Sequence, residues 1–362
     1  MAETKMDKTT DETQEVRAAH KFDESKLAAF LGDTVKGFQG PLIVKQFAGG
    51  QSNPTYMLET PGKKYVLRRK PPGTLLKSAH AVDREFRVLS ALYAQDFPVP
   101  HPHVLCSDES VIGTMFYVMD FVPGRVFFRC ELPGMSVEDR AKAFDSANAT
   151  LAKLHTLDYR ALGLEDFGKP GNYFARQISR WAQQYQASET QKIPEMDKLI
   201  AWLPGAVPEG DESCIVHGDY SFHNVFFHPT EPRIVAVVDW ELSTIGHPLG
   251  DLTYHVMEWY RPDGGDPRGT LANYNEAELA ARGIPTLRAY IDKYCERTGR
   301  PPLKNLEFYQ AYNLFRLAAI VQGIVGRAQA GTAADANAAS MAARVPDFAK
   351  VAWRFAQKAG AI

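Results

Sequence analysis

The stretch His217-Gly218-Asp219-Tyr220-Ser221-Phe222-His223-Asn224 precedes two apolar segments, and the second of these segments ends at Asp239. Both segments have the composition of strands, and residues 228–233 between them have the composition of a turn. If the segments pair as an antiparallel hairpin, Asn224 and Asp239 arrive at the same end of the ribbon. Asp219 lies on the loop just before that end. The sequence therefore predicts that two carboxylates and one amide oxygen converge from a span of 21 residues.

These oxygen atoms suit one kind of chemistry. Carboxylate and amide oxygens are hard ligands for Mg²⁺, whose coordination is completed by phosphate oxygens and water. Phosphoryl transfer needs a metal between the phosphates, a carboxylate that accepts the proton of the acceptor hydroxyl, and donors to the phosphates. Asp219 suits the role of the base, and Asn224 and Asp239 suit the metal role. Each of the three alone could cap a turn, but their joint spacing is specific and indicates Mg²⁺-dependent phosphoryl transfer.

Composition excludes several other classes of protein. The chain has 362 residues, 45% hydrophobic and 23% charged, which is typical of a globular protein of one large or two ordinary domains. Its formal net charge of -2 favours neither nucleic acid nor an anionic membrane as a partner. The four cysteines are far apart and form no CxxC pair, so we expect reduced thiols in a cytoplasmic protein.

The chain divides into three regions by sequence character. Residues 1–20 are polar, lack the apolar core of a signal peptide, and predict a disordered tail. Residues 21–122 predict a small antiparallel sheet with one helix. Residues 123–362 predict a larger, mainly helical part that carries the catalytic loop, the metal site and the acceptor site. The predicted fold class is α+β, with a β-rich N-lobe and a helical C-lobe.

The individual elements follow from periodicity. The predicted strands of the N-lobe are Leu42–Phe47, Thr55–Glu59, Lys64–Arg68 and Thr114–Phe121, and its helix is Ala79–Tyr93. The predicted helices of the C-lobe are Val137–Leu157, Tyr173–Ala187, Pro285–Thr298 and Leu306–Ala330. The segment Asp263–Asn275, rich in Gly, Asp and Asn, has the composition of a surface loop or a mobile lid.

The His-Gly-Asp motif with Asn224, followed by Val237-Val238-Asp239-Trp240-Glu241, resembles the aminoglycoside phosphotransferase and choline-kinase-like family. The resemblance covers roughly residues 22–345 and implies a protein-kinase-like bilobal fold that uses ATP and Mg²⁺. In that family, the aspartate that matches Asp219 is the catalytic base. The residues that match Asn224 and Asp239 bind magnesium.

The resemblance also implies an ATP site in the N-lobe. Its candidates are a phosphate-covering loop, a cation on the third strand, a helix carboxylate that pairs with this cation, and a hinge whose backbone binds adenine. The candidates for the loop are Gly49, Gly50, Ser52 and Asn53. The cation is Arg68, and its helix partner is Glu85. The hinge residues are Met119, Asp120 and Phe121. The Gly-Gly pair could also be a plain turn. If the register slips, Arg69 or Lys70 would replace Arg68, and a solvated basic strand is the other alternative.

Four further residues have assignments near the site. In the resembled fold, the histidine that matches His217 braces the catalytic loop, and the aspartate that matches Asp251 holds the backbone of this loop. Asp251 could instead be a helix N-cap. His223 and Glu241 are candidates for substrate contact, and for His223 the alternative is a loop histidine packed on the core.

The acceptor is predicted to be a small molecule. Only twelve positions separate Asp239 from Asp251, which leaves no room for the long activation loop of a protein kinase. The stretch from Phe308 to Arg327 resembles the kinase-like domains fused to certain acyl-CoA dehydrogenases, which implies a hydroxyacyl or hydroxy-acid metabolite. Arg316 and Arg327 could bind an anionic group of that substrate or form salt bridges.

Three alternative functions remain open at the level of sequence. A dedicated aminoglycoside phosphotransferase would differ only in its acceptor, which is a polycation that usually needs an acidic cleft. A nucleotide-binding pseudokinase would keep the fold without turnover. A metal-dependent phosphohydrolase would use the same oxygen atoms without ATP. A monomer and a homodimer are both compatible with the sequence.

Overall fold

A computed structural model of the chain describes residues 7–9, 12–47, 53–71, 81–264, 266–329 and 338–362. The chain forms two compact units. Unit 1 comprises Met1–Phe128, Leu162–Phe167 and Phe222–Ser243, and unit 2 comprises Arg129–Ala161, Gly168–Ser221 and Thr244–Ile362. The first boundary between the two units, after Phe128, falls close to the lobe boundary predicted at residue 122. The segment Phe222–Ser243, which we assigned to the C-lobe, groups with unit 1.

Strands belong mainly to unit 1 and helices mainly to unit 2. The strands are β1 (Asp7–Thr9), β2 (Thr13–Gln14), β3 (Ile43–Phe47), β4 (Thr55–Glu59), β5 (Lys64–Arg69), β6 (Pro102–Cys106), β7 (Phe116–Asp120), β8 (Arg125–Phe127), β9 (Cys214–Val216), β10 (Val225–Phe227), β11 (Ile234–Val237) and β12 (Thr244–Gly246). The helices are α1 (Glu24–Thr34), α2 (Val82–Tyr93), α3 (Glu109–Ile112), α4 (Val137–Thr156), α5 (Tyr173–Ala187), α6 (Pro194–Trp202), α7 (Pro248–His255), α8 (Glu276–Ala281), α9 (Leu287–Thr298), α10 (Leu306–Gln329) and α11 (Arg344–Lys358).

The main sheet of unit 1 has six antiparallel strands in the order β2-β3-β4-β5-β7-β6. Side chains alternate between its faces, as the pleat requires. On one face, Tyr65 and Leu67 of β5 join a buried core with Leu27 and Leu31 of α1. Arg68 of β5 stands on the other face. The predicted sheet and the predicted facing of its third strand agree with this structure.

Helix α1 was not predicted. Its N-cap Asp23 accepts hydrogen bonds from the backbone N–H groups of Ser25 and Lys26, which satisfies donors that the first helical turn leaves free. The helix then buries Leu27 and Leu31. Two apolar residues one turn apart are too few to separate a short helix from a loop by periodicity.

The prediction of a disordered tail over residues 1–20 is wrong for the residues in this range that the structure describes. Strand β1 pairs with β8, and β2 pairs with β3. Gln46 Nε2 lies 2.9 Å from His20 Nδ1, which anchors the segment after β2. Edge pairing of this kind uses backbone groups, so the polar side chains of the segment do not reveal it.

A second sheet of unit 1 has the order β1-β8-β10-β11. Strands β10 and β11 form the predicted antiparallel hairpin, with Val225 opposite Val237. The backbone N–H of Val238 donates to the carbonyl oxygen of Asn224 at 3.0 Å, which closes the open end of the ribbon. Gly124 lies so close to β10 that a Cβ there would be 2.8 Å from the carbonyl oxygen of Phe227.

Unit 2 is built around α10, which is buried over most of its length and packs against α5 and α11. The two-stranded ladder of β9 and β12 lies against α7 and α4. The predicted helices α4, α5, α9 and α10 occur within two residues of their predicted bounds, except that Ala330 lies outside the described residues. The four cysteines are free, buried thiols, as predicted.

The predicted surface loop or mobile lid at 263–275 is instead anchored in its described part. Arg261 is fully buried and pairs with Glu258 at 2.7 Å and with Asp266 at 2.8 Å. Thr270 and Leu271 are buried as well. Burial alone would raise the pKa of Asp266, but hydrogen bonds and charge from Arg268 and Arg261 hold this pKa well below its ordinary value. The segment has no helix or strand in its described part, as the loop interpretation predicts. Its buried ion pairs were not predicted, because a polar composition does not distinguish buried ion pairs from solvated ones.

Within the described parts of the chain, no helix combines the length and the apolar character that crossing a bilayer requires.

Candidate active site

A cluster of charged side chains forms around Arg68 in unit 1. The Nε atom of Arg68 lies 3.1 Å from Oε2 of Glu85, which comes from the first turn of α2. Its Nη2 atom lies 2.7 Å from Oδ1 of Asp239 and 3.5 Å from Oε2 of Glu241. One guanidinium thus contacts three carboxylates, one from α2 and two from the segment that follows β11.

Glu85 is the buried member of this cluster, with a side chain only 2% exposed. Its carboxylate accepts hydrogen bonds from Tyr117 Oη at 2.9 Å and from Asn53 Nδ2 at 3.3 Å. Burial raises the pKa of Glu85 to about 7, against the lowering effect of Arg68. The sequence analysis missed Tyr117, although β7 places it directly opposite Arg68 in the ladder.

The neighbours of Arg68 in the sequence point elsewhere. Arg69 is buried on the opposite face of β5, where it donates to the carbonyl oxygen of His20 at 3.0 Å and lies over the ring of Tyr56. Lys70 pairs with Asp83 at 3.8 Å. Of the three basic residues, Arg68 is therefore the one that meets Glu85, in the register that we predicted.

The hairpin delivers Asp239 to the cluster. Asp239 follows β11 in the left-handed region, with φ of +67°, a conformation that Asp tolerates better than most residues. Its side chain is 36% exposed. Single carboxylate oxygens of Glu85, Asp239 and Glu241 all lie within 4.8 Å of one another. Together with Asn224 at the start of the hairpin, this set of hard oxygen donors fits Mg²⁺.

A cavity of about 160 Å³ lies beside the cluster, entirely within unit 1. Its walls are mostly apolar, and Arg68 contributes a polar edge. The lining residues are Phe47, Thr55, Val66, Arg68, Pro100, Met119, Asp120, Phe121, Val122, Phe226 and Val238. The predicted hinge residues Met119, Asp120 and Phe121 thus line this mostly apolar cavity.

Two backbone N–H groups of the predicted hinge are used inside the sheet. That of Asp120 donates to the carbonyl oxygen of His101 at 2.9 Å, and that of Phe121 donates to the carbonyl oxygen of Lys64 at 3.2 Å. A contact of the hinge backbone with adenine would therefore use its other backbone groups. Strand pairing decides which backbone groups remain accessible, and this pairing involves residues remote in sequence.

The catalytic-loop motif in unit 2 is held by Asp251 from α7. The Asp251 carboxylate accepts the backbone N–H of His217 at 2.6 Å and that of Gly218 at 2.8 Å. Gly218 has φ of +85°, a conformation that glycine adopts at little cost. Burial alone would raise the pKa of Asp251, but hydrogen bonds from His155 and from Gly218 lower it. This contact is the one that the family resemblance implies.

Asp219 lies just beyond this anchored turn. Its backbone N–H donates to Nδ1 of the buried His217 at 3.2 Å. The hydroxyl of Tyr254 donates to the Asp219 carboxylate. The pKa of Tyr254 is raised above its ordinary value, mainly by burial and next by the charge of Asp219. The charges of Arg316 and Arg268 oppose this rise. The sequence analysis missed Tyr254, although it lies one helical turn after Asp251 and so belongs to the same motif.

The residues proposed for substrate contact have different surroundings. Arg316 is only 5% exposed and donates Nη2–H to the carbonyl oxygen of Gly218 at 2.7 Å. Arg327 is exposed, eleven residues further along α10, about 16 Å along the helix axis. The two arginines therefore do not converge on one small group. In unit 1, His223 is half-buried beside Phe128, and Glu241 belongs to the Arg68 cluster.

Three residues of the predicted phosphate-covering loop, Gly49, Gly50 and Ser52, lie outside the described residues. The fourth, Asn53, is buried against Glu85.

Comparison with known proteins places the chain in a family. Residues 43–290 match the family model described as the phosphotransferase enzyme family, APH. This match covers more than half of the chain, so the chain belongs to the phosphotransferase enzyme family. The predicted family and the predicted enzyme class, a phosphotransferase, are therefore confirmed.

Two relatives are similar to this chain over most of its length. The acyl-CoA dehydrogenase family member 11 of Rattus norvegicus is 46% identical over 330 residues, which cover 89% of this chain and 42% of that protein. The chain thus spans less than half the length of this relative. A solved structure from Ralstonia eutropha, assigned as an aminoglycoside phosphotransferase, has a TM-score of 0.85 and 49% identity, covering 93% of this chain and 99% of the other.

A more distant structure shows how far the fold extends. A thermostable mutant of aminoglycoside phosphotransferase APH(4)-Ia, solved in ternary complex with AMP-PNP and hygromycin B, has a TM-score of 0.58 and 16% identity. It covers 91% of this chain and 99% of its own. At this identity the likeness concerns the fold alone. With the antiparallel sheet and the helical unit, it confirms the predicted bilobal, protein-kinase-like α+β fold.

Proposed function

We propose that this phosphotransferase moves a phosphoryl group from ATP to a hydroxyl of a small molecule, with Mg²⁺ as the metal. The observation that carries the proposal is the Arg68 cluster at the edge of an apolar cavity in unit 1. An apolar slot suits a purine base, and a guanidinium at its edge suits the phosphates attached to that base. The AMP-PNP complex of the APH(4)-Ia neighbour supports the choice of nucleotide.

The roles within this site follow from the donor types. Arg68, held by Glu85, would donate to phosphate oxygens through its planar fork. Asp239 and Asn224 would hold Mg²⁺, and Glu241 would hold it directly or through water. When bound, the metal neutralises charge that develops on the phosphates. Asp219 would accept the proton of the acceptor hydroxyl, and Asp251 would keep its loop in place.

Arg68 must exchange partners in this scheme. In the structure its Nη2 atom contacts Asp239 and Glu241, the same carboxylates that would bind the metal. A cation and an arginine do not share one carboxylate oxygen without repulsion. Nucleotide phosphates would draw Arg68 away from Asp239 while Glu85 keeps its hold on Nε. Ligand binding would therefore rearrange this cluster.

For the acceptor, we propose a hydroxyacyl or hydroxy-acid metabolite. The guanidinium of Arg316 lies 4.7 Å from the centre of the ring of Tyr254, the hydrogen-bond partner of Asp219. A cation near the proposed base favours an acceptor with a carboxylate or a phosphate over a polycation. The relative whose name contains acyl-CoA dehydrogenase supports the same class of substrate.

An aminoglycoside acceptor is the second candidate. It is favoured by the 49% identity to the Ralstonia eutropha protein assigned as an aminoglycoside phosphotransferase. The two candidates differ in charge, so they make opposite demands on the surroundings of Tyr254.

A panel assay of ATP consumption tests the proposal. The acceptors are 4-hydroxy acids, the same acids as CoA thioesters, aminoglycosides and choline, each with Mg²⁺ and with excess EDTA. We expect turnover with a hydroxy acid or its thioester, lost in EDTA and reduced at least about 100-fold in Asp219→Asn. Turnover with aminoglycosides alone would replace the first candidate by the second.

The same assay separates the other classes of protein. A pseudokinase would bind nucleotide without turnover under any condition of the panel. A phosphohydrolase would release phosphate from phosphoesters without ATP. Either result would overturn the proposed kinase activity.

A further inference from the structure

We propose that His101, His103 and Asp120 form a binding site for a borderline divalent cation such as Zn²⁺, on unit 1 and separate from the proposed Mg²⁺ ligands. This proposal does not depend on the proposed phosphoryl transfer, because it rests on the geometry of three side chains that have no catalytic or Mg²⁺-binding role in that scheme, although Asp120 also lines the apolar cavity.

The ligand atoms are already close to the spacing that a metal requires. His103 Nε2 lies 2.6 Å from Oδ1 of Asp120, and His101 Nδ1 lies 4.0 Å from Oδ2. One ligand atom from each of the three residues falls within 4.8 Å of the others. In a tetrahedral site with bonds of about 2.0–2.1 Å, neighbouring ligand atoms lie about 3.3 Å apart. The two observed distances bracket this value, so small side-chain rotations would suffice.

Sheet pairing holds the three residues together. Asp120 ends β7, and its backbone N–H donates to the carbonyl oxygen of His101 at 2.9 Å. His103 lies two residues further on, in β6, where the register between β6 and β7 shifts between Pro102 and Val104. Such a shift re-aims the side chain at the irregularity. The site is therefore carried by backbone pairing and needs little ordering when a metal binds.

Aromatic rings fix the orientation of both imidazoles. The ring of His101 stacks on Tyr93 with centroids 4.4 Å apart. The ring of His103 meets the edge of Tyr65 at 5.3 Å. The two imidazoles are themselves 4.4 Å apart, so their nitrogen atoms approach the same carboxylate from different sides. Preorganised rings reduce the entropy that metal binding costs.

The donor set selects the class of metal. Two imidazole nitrogens and one carboxylate suit Zn²⁺ and its neighbours, and leave a fourth position for water. Mg²⁺ prefers oxygen donors only, which is what Asp239, Asn224 and Glu241 offer. The two sites of unit 1 should therefore bind different ions from a mixture.

Lys63 forms an ion pair with the carboxylate of the site. Its Nζ atom lies 2.6 Å from Oδ1 of Asp120 and 5.1 Å from the centre of the Tyr65 ring. A metal ion must displace this ammonium group before it can bind the carboxylate. Removal of the lysine charge should therefore strengthen metal binding, a response that a purely structural ion pair would not give.

The site is tested with the full chain after EDTA treatment, using Co²⁺ as a spectroscopic probe and Zn²⁺ as a competitor. We expect one Co²⁺ per chain with the intense visible absorption of a four-coordinate ion, displaced by Zn²⁺ but not by Mg²⁺. His101→Asn and His103→Asn should each weaken binding at least tenfold, the lower end of the loss seen when even an outer partner of a metal site is removed.

Lysine variants keep the test decisive if a histidine variant fails to fold. Lys63→Met should bind Co²⁺ several-fold more tightly, whereas Lys45→Met, which removes a similarly exposed lysine from its pair with Glu59, should leave binding unchanged. Asp239→Asn should also leave it unchanged. The proposal fails if Lys63→Met has no effect, if the folded histidine variants bind like the parent, or if binding is lost in Asp239→Asn.

Discussion

Two buried carboxylates, one in each unit, hold the groups that matter for chemistry in different ways. Glu85 of unit 1 holds the side chain of Arg68, which also contacts Asp239 and Glu241. Asp251 of unit 2 is 1% exposed and holds backbone N–H groups of the catalytic loop. A side-chain cation with several partners can move among them. Backbone donors cannot change partner without unfolding the turn, so the first arrangement suits ligand exchange and the second suits fixed positioning.

The largest effect is expected from removal of the fixed carboxylate. Asp251→Ala leaves two backbone N–H groups and His155 without their acceptor in a buried place, and should lower the free energy of unfolding by about 3–5 kcal/mol. Urea denaturation followed by circular dichroism measures this loss. Asp347→Ala, in the first turn of α11 and exposed, should change it by no more than about 0.5 kcal/mol. Equal losses of unfolding free energy in Asp251→Ala and Asp347→Ala would contradict the role of Asp251 as a fixed structural anchor.

Removal of Asp239, a partner that Arg68 can exchange, should affect turnover more than the free energy of unfolding. Asp239→Ala should reduce turnover about 100-fold or more, because a proposed metal ligand is lost. Its free energy of unfolding should fall by less than about 1 kcal/mol, because Asp239 is 36% exposed and Arg68 keeps Glu85. Steady-state kinetics and urea denaturation on the same preparation measure both quantities. A loss of several kcal/mol would mean that Asp239 is a structural residue.

The planar guanidinium of Arg68 is proposed to donate to phosphate oxygens, and its replacement should change the KM for ATP. Arg68→Lys keeps the charge beside Glu85 but loses bidentate donation, so we expect the KM for ATP to rise about tenfold. Lys70→Met serves as the control, since Lys70 pairs with Asp83 at 3.8 Å and is not part of the Arg68 cluster in the described residues. If Lys70→Met raises the KM for ATP more than Arg68→Lys does, the assignment of Arg68 as the phosphate-binding cation is wrong.

The smallest effect concerns pH. Burial raises the pKa of Glu85 from 4.5 to about 7, so between these values the folded chain binds more protons at this site than the unfolded chain. Its contribution to stability is therefore present at low pH and is lost as pH rises through this window. Relative to Glu85→Gln, the parent should lose about 1 kcal/mol between pH 5 and pH 6.

Asp251 should behave in the reverse direction. Its pKa lies below the ordinary 3.8, so its contribution is lost as pH falls below that value. Urea denaturation across pH 3 to 8 covers both windows. A parent and a Glu85→Gln variant with parallel pH profiles would contradict the raised pKa of Glu85.

Much of the candidate site could be predicted from local sequence. The hairpin that delivers Asp239 follows from two strand-like segments around a turn, and the facing of Arg68 follows from strand alternation. Both rules act over a few residues, so no knowledge of the rest of the chain is needed. The predictions that failed concern remote partners, such as the strand pairing of residues 7–9 and 13–14 and the buried pairs of Arg261.

Local sequence predicts the chemical types at the site: hard oxygen donors around Asp239, a cation on β5, and an aspartate within a His-Gly-Asp turn. Which partners these groups meet depends on contacts between segments that are remote in the chain. Arg316 donates to the backbone of Gly218, the N–H groups of Asp120 and Phe121 are used inside the sheet, and His101 and His103 lie against Asp120. The reason is physical: spacing along the chain sets local geometry, whereas contacts between remote segments depend on how strands pair and helices pack.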